Sequence, residues 1–152
     1  MATPKNPTVF RIREIQVSYK STGLTLPFRK VTESDHVYQV FKDHLNDCDR
    51  ENFCILHLSH RNQIIGYEVC FVGTLGEVNI HLREIFKSVM ISNAASIVIV
   101  HNHPSGDPKP SREDERVTRI IKNAAFLLQI EVLDHIIIAN GSYYSFADQG
   151  RL

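Results

Sequence analysis

The sequence predicts an α/β domain in which helices pack on one mixed, curved β-sheet. Three observations lead there. Strand-like and helix-like segments alternate in the order β-β-α-β-β-α-β-α-β-β, a pattern that closes into layers around one core. The run Ser96-Ile97-Val98-Ile99-Val100 is short, unbroken and rich in β-branched residues, as expected of a central strand buried on both faces. The composition is globular: 152 residues, 43% hydrophobic and 22% charged, suit a single domain and exclude wholesale disorder.

Each element has a local reason. The first nine residues carry two prolines and read as a loose tail. Phe10 to Tyr19 alternates like a strand, Ser21-Thr22-Gly23 supplies a turn, and Leu24 to Val31 is a second extended piece. Thr32-Glu33-Ser34-Asp35 offers capping chemistry for a helix that places Val37, Phe41 and Leu45 on one face and stops near Asn46–Asp49. A hairpin follows, with strands over Phe53–Leu58 and Gln63–Phe71 joined by the polar turn Ser59-His60-Arg61-Asn62. Leu82, Ile85, Phe86, Val89 and Met90 fit a helix of about ten residues. The central strand then delivers His101 at its carboxyl end. After a loop rich in Pro and Gly, Asn102 to Pro110, a helix starts at Ser111 with Val117, Ile120, Ile121, Ala124, Ala125 and Leu128 as its buried stripe. Ile130 to Ile138 is a strand, and Asn140-Gly141 turns the chain into a short closing strand at Tyr143-Tyr144.

Charge and cysteine content narrow the function classes. The 17 basic and 17 acidic residues cancel, which argues against a dedicated nucleic-acid binder. The charge is uneven: residues 1–30 hold Lys5, Arg11, Arg13, Lys20, Arg29 and Lys30 against Glu14, and residues 31–152 carry the balancing acidic excess. A basic, strand-bearing extension over 1–30 and a domain over 31–152 are therefore expected. Cys48, Cys54 and Cys70 show no C-x-x-C spacing and read as buried free thiols of a reducing cytoplasm. No apolar run approaches the roughly 18 residues of a membrane span, and the start lacks the apolar core of a secretory signal.

The chemistry concentrates in His101-Asn102-His103-Pro104, Ser111 and Asp114. A bend at the strand end would turn both imidazoles onto one ion. Asp114, in the first turn of the next helix, can return beside them. Two neutral imidazoles and a carboxylate suit Zn²⁺ and leave a fourth position for water, the open arrangement a hydrolase uses. Ser111 and Asp114 also resemble a helix capping box, and that pair alone reads as structural.

The spacing H-x-H, seven residues, S, two residues, D matches the JAMM motif of JAB/MPN-domain metalloproteases. The flanking text, VHNHPSGDPKPSREDERVT and IEVLDHIIIANGSYYSFADQG, resembles the RadC family, commonly labelled DNA-repair proteins. The resemblance runs from about Val31 to Leu152. Longer RadC proteins carry an additional amino-terminal helix-hairpin-helix region, of which residues 1–30 show no sign.

The resemblance implies a JAB/MPN-like, cytidine-deaminase-like fold and a zinc-dependent hydrolase of peptide or isopeptide bonds acting on a peptide or protein substrate. His101, His103 and Asp114 would be zinc ligands, and Ser111 would donate to the developing oxyanion. An upstream glutamate would be the general base, and Glu51, preceding an apolar strand, matches it best. Glu68, Glu77 and Glu84 remain alternatives. For His135, a hydrogen-bonded core residue and a partner orienting a ligand histidine both stand open, as does a role for Asp134. The resemblance also leaves room for a DNA-repair accessory protein, with nucleic acid bound weakly or indirectly at most, or for a metal-stabilised interaction module without turnover.

Overall fold

A computed structural model of the chain describes residues 12–16, 18–23, 25–73 and 81–152. Its centre is the strand the β-branched run predicts. β3 (Ser96–Asn102) is buried along its whole length. It lies in a five-stranded sheet of order β2-β1-β3-β4-β5 with β1 (Asn52–Leu58), β2 (Ile64–Val72), β4 (Glu131–Ala139) and β5 (Ser142–Ser145). β1 is antiparallel to both β2 and β3, and β5 is antiparallel to β4. β3 and β4 are parallel, so the chain must cross over between them, and it does so through α3 (Arg112–Leu127).

Strand alternation divides the core into two layers. Leu56, Leu58, Val98, Val100, Ile136 and Ile138 face α1 (Ser34–Leu45), which contributes Val37, Val40, Phe41 and Leu45. Phe53, Ile55, Ile97 and Ile99 face the other way and meet Ile85, Phe86 and Val89 of α2 (Leu82–Ile91) and Val117, Ile121 and Ala125 of α3. Burying such side chains on both faces stabilises a sheet by ~1.5–3 kcal/mol per large apolar residue. Odd-numbered positions of β3, and of β4 after the register shift that follows Val132, therefore face α3, which puts His101 and His135 on the α3 side.

Several local expectations are met by specific devices. Asn140 and Gly141 both take positive φ, 47° and 73°, as a two-residue hairpin of this sequence requires. Ser111 is the N-cap of α3, and a capping box with Asp114 is complete in both directions. Among the described residues, no helix is long and apolar enough to cross a membrane.

Others need correction. The basic extension over 1–30 was expected to bear strands at Phe10–Tyr19 and Leu24–Val31. Their described residues form none: only Lys30 makes an isolated bridge, to Gln63, flanked by bonds between Val31 and Asn62 and between Ile64 and Arg29. Phe10, Arg11, Val17 and Leu24 lie outside the described residues. The reason is missing partners. Ile12 and Ile15 are 99% and 88% exposed, so their alternation has no sheet to lie on. The N-cap of α1 is Glu33, without a side-chain cap; the Ser34 hydroxyl bonds Asp148 and Tyr143 instead. Among the apolar stripe of α3, Leu128 is exposed because the helix has already ended, and Thr118 takes a buried place. All three cysteines are free, but only Cys54 is fully buried.

Candidate metal centre

The site forms where the parallel pair β3 and β4 ends and α3 begins. His101, on the α3 face of β3, stands opposite Phe53 of β1 and Ile137 of β4. The ladder to β4 gives one bond beyond the strand, from the His103 amide to the Ile138 carbonyl at 2.9 Å. The chain then turns, with the Gly106 amide donating to the His103 carbonyl at 3.1 Å. Gly106 adopts φ +84°, a conformation that suits glycine. Residues two apart on a strand share one face, so His103 leaves β3 on the side of His101, and the turn that follows lets the two imidazole Nε2 atoms approach to 3.0 Å.

Asp114 arrives from the first turn of α3. Its Oδ1 lies 3.1 Å from His101 Nε2 and its Oδ2 3.5 Å from His103 Nε2. Two donors that each sit about 2.0–2.2 Å from a tetrahedral ion lie about 3.3 Å apart. The observed separations of 3.0, 3.1 and 3.5 Å bracket that edge length, so the three residues fit one small divalent cation. The same three residues are the metal-compatible cluster among the described residues. His101 and Asp114 are buried, whereas His103 and Ser111 keep contact with solvent, which leaves the site approachable from one side.

Hydrogen bonds prepare the ring nitrogens that face away from the cluster. His103 Nδ1 meets the Asp107 carbonyl at 2.8 Å; a carbonyl only accepts, so Nδ1 carries the proton. For His101 the chain is longer: Nδ1 meets His135 Nε2 at 2.8 Å, His135 Nδ1 meets Thr118 Oγ1 at 2.6 Å, and Thr118 Oγ1 donates to the Asp114 carbonyl at 2.6 Å. The threonine has one proton. Spending it on Asp114 obliges it to accept from His135 Nδ1–H, which leaves His135 Nε2 to accept from His101 Nδ1–H. Both ligand candidates then present an Nε2 lone pair to the cluster.

The electrostatics favour an ionised Asp114 and a neutral His101, and they act the other way on His103. Burial would raise the Asp114 carboxyl, but its bonds with His101 and His103 overcome that and hold it well below the usual carboxylate range. Burial pushes His101 down, with the Asp114 contact only partly offsetting it. For His103, burial is outweighed by Asp114 and the Asp107 carbonyl, and its pKa rises. His135 is pushed far down by burial and by the neighbouring His101.

Residues 31–151 match a family model described as the RadC-like JAB domain. The chain belongs to this family.

Its curated relatives include a UPF0758 protein of Methanosarcina mazei, 44% identical over 82% of this chain and 54% of its own length. One of Chlorobaculum tepidum is 46% identical over 81% of this chain and 55% of its own. One of Protochlamydia amoebophila is 40% identical over 91% and 60% respectively. The chain thus spans a little over half the length of these relatives. The mixed sheet with α1 on one face and α2 and α3 on the other is consistent with the JAB/MPN-like fold.

Within this RadC-like JAB domain the candidate glutamates separate by position. Glu51 immediately precedes β1, two residues before Phe53, the partner of His101 in the ladder. Its charge acts on both His101 and His103. Glu68, on β2, instead influences His57, Cys70 and Lys87. Glu84 pairs with Lys87 at 2.8 Å. Glu77 lies outside the described residues. Asp134 faces the opposite layer, where it accepts from Ser145 Oγ and from the Ala147 and His135 amides. It fastens the turn after β5 and takes no part in the cluster. His135 is the member of that pair that touches the site. Sequence reading missed Thr118 and Asn102, whose signal is only that a polar residue recurs at a helix position or strand end due to be buried.

Proposed function

We propose that this RadC-like JAB domain is a zinc-dependent hydrolase of the JAMM type, cleaving a peptide or isopeptide amide. The observation that carries the reading is the convergence of His101 Nε2, His103 Nε2 and the Asp114 carboxylate at tetrahedral-edge distances, each imidazole braced through its other nitrogen. Zinc held by these residues would supply Lewis acidity and lower the pKa of a water to about 7. Glu51, whose charge reaches both histidines, would take a proton from the attacking water and return it to the leaving nitrogen. Ser111 stands at the solvent side of Asp114, its Oγ 2.6 Å from Oδ2, and would turn its hydroxyl to the carbonyl oxygen as negative charge develops there. The same hydroxyl also caps α3, so its part in turnover is a role beyond the capping box.

The test combines metal content with rate. Purified protein should bind about one zinc per chain, and a His101→Ala, His103→Ala double variant should bind none at that site. Glu51→Gln should keep the metal and lower hydrolysis of an isopeptide-linked probe by roughly 10²–10⁴. Unchanged stoichiometry in the double variant, or full activity in Glu51→Gln, would overturn the assignment.

A further inference from the structure

The residue between the two histidines, Asn102, has a task that metal binding does not account for. β1 and β3 run antiparallel in a register that pairs Phe53 with His101, so the next rung would join Asn52 and Asn102 through their backbones. That rung is replaced. The Asn102 side-chain amide reaches across, its Oδ1 accepting from the Asn52 amide at 2.7 Å and its Nδ2 donating to the Arg50 carbonyl at 2.9 Å. A carboxamide presents the same donor and acceptor as a peptide unit. Asn102 therefore extends β3 sideways by one false peptide, and the two groups it pins are those on either side of Glu51.

The consequence is geometric. The Asn102 backbone stays in register with Ile138 of β4, and only its side chain spans to β1. The ladder between β1 and β3 ends at Phe53 and His101, and beyond it the Asn102 side chain holds the peptide groups on either side of Glu51. A third bond completes the hold: the Gly73 amide donates to the Glu51 carbonyl at 2.8 Å. Glu51 precedes β1, and alternation continued back from Phe53 directs it to the face that carries His101 and meets α3.

From this clamp we infer that Asn102 is the positioning residue for Glu51, holding its carboxylate over the metal cluster without touching either the metal or the substrate. The inference rests on the hydrolase reading above and adds to it a residue that neither the ligand spacing nor the family motif assigns.

The experiment uses the full chain loaded with Co²⁺ in place of zinc, whose visible bands respond to hydrogen bonding at the open coordination position. Wild type, Glu51→Gln, Asn102→Ala and Asn102→Leu are brought to equal Co²⁺ content; leucine keeps the volume and removes the amide. Glu51→Gln should shift the bands, both Asn102 variants should shift them the same way, and combining either with Glu51→Gln should add nothing. On an isopeptide-linked probe, kcat of the Asn102 variants should fall by about 10²-fold, as expected of a displacement near 1 Å, with KM unchanged. Hydrogen exchange at the Asn52 amide of the unaltered protein supplies a check that needs no variant to fold: it should be protected to the level of the β1 ladder. Bands that move with Glu51→Gln and stay at the wild-type position in both Asn102 variants would overturn this inference alone, as would an unprotected Asn52 amide. Bands that do not respond to Glu51→Gln would remove the general-base reading and the positioning role together.

Discussion

Thr118 carries one hydroxyl proton, and where that proton goes decides the tautomer of two histidines. Thr118→Val keeps the shape, removes the proton and leaves His135 Nδ1 facing a methyl group in a fully buried place. The expected result is a 10–100-fold loss of zinc affinity in chelator competition, restored by Thr118→Ser. An unchanged affinity would show that His101 is oriented by packing against Phe53 alone. Ser111 allows its two roles to be separated. As N-cap, its loss to alanine should cost about 0.5–2 kcal/mol in melting of the metal-free protein, while Ser111→Gly should cost only a few tenths. As oxyanion donor, both variants should lose hydrolysis by ~10²–10³. A glycine variant that keeps full rate would confine Ser111 to capping.

At the scale of elements, burial acts alike on thiols on the two faces of the sheet. Burial pushes the Cys54 and Cys70 thiols, one on β1 and one on β2, up to about 12 from an ordinary 9.0. The unfolded chain then releases these protons first, so their contribution to stability is complete below pH 9 and is lost as pH rises toward 12. A Cys54→Ala, Cys70→Ser variant should show a shallower fall in Tm between pH 9 and 12 than the wild type; equal slopes would count against this. The elements also show what a sequence makes legible. The convergence of His101, His103 and Asp114 could be read because they sit on one strand end and the helix start after it, where spacing is nearly geometry. The strands from β1 to β5 could be read because alternation and turn chemistry are local. Glu51 could not be reached by spacing, since fifty residues separate it from His101, and it entered through family resemblance. Thr118 and Asn102 were out of reach, because their partners are set by the register of β3 against β1 and by the crossover of α3. Among the described residues the expected amino-terminal strands do not form, for a related reason: alternation states a preference for a sheet edge and cannot supply one.

For the whole molecule, the charge is balanced overall and divided along the chain, with the basic excess in residues 1–30. We propose that affinity for DNA is weak and confined to that stretch. Its binding constant should fall with salt at a shallow slope, on the order of 0.9 per phosphate contact, and should vanish on deleting residues 1–30. Tight, sequence-specific binding that survives the deletion would instead place a nucleic-acid surface on the domain itself.

The candidate metal ligands, their bracing threonine and histidine, and the Asp107 carbonyl all belong to one continuous stretch, β3–α3–β4, and the proposed base, Glu51, comes from elsewhere. Closing that stretch brings together residues no more than a few dozen apart in sequence, whereas seating Glu51 requires β1 to zip along β3 to its last rung. Loop closure favours the shorter connection. In refolding, ion capture should thus precede the arrival of the base, and the chain should hold its metal tightly before it can use it. A nascent or partly unzipped domain would then be a metal protein without hydrolytic power, and the last rung of a β-ladder would be what arms it.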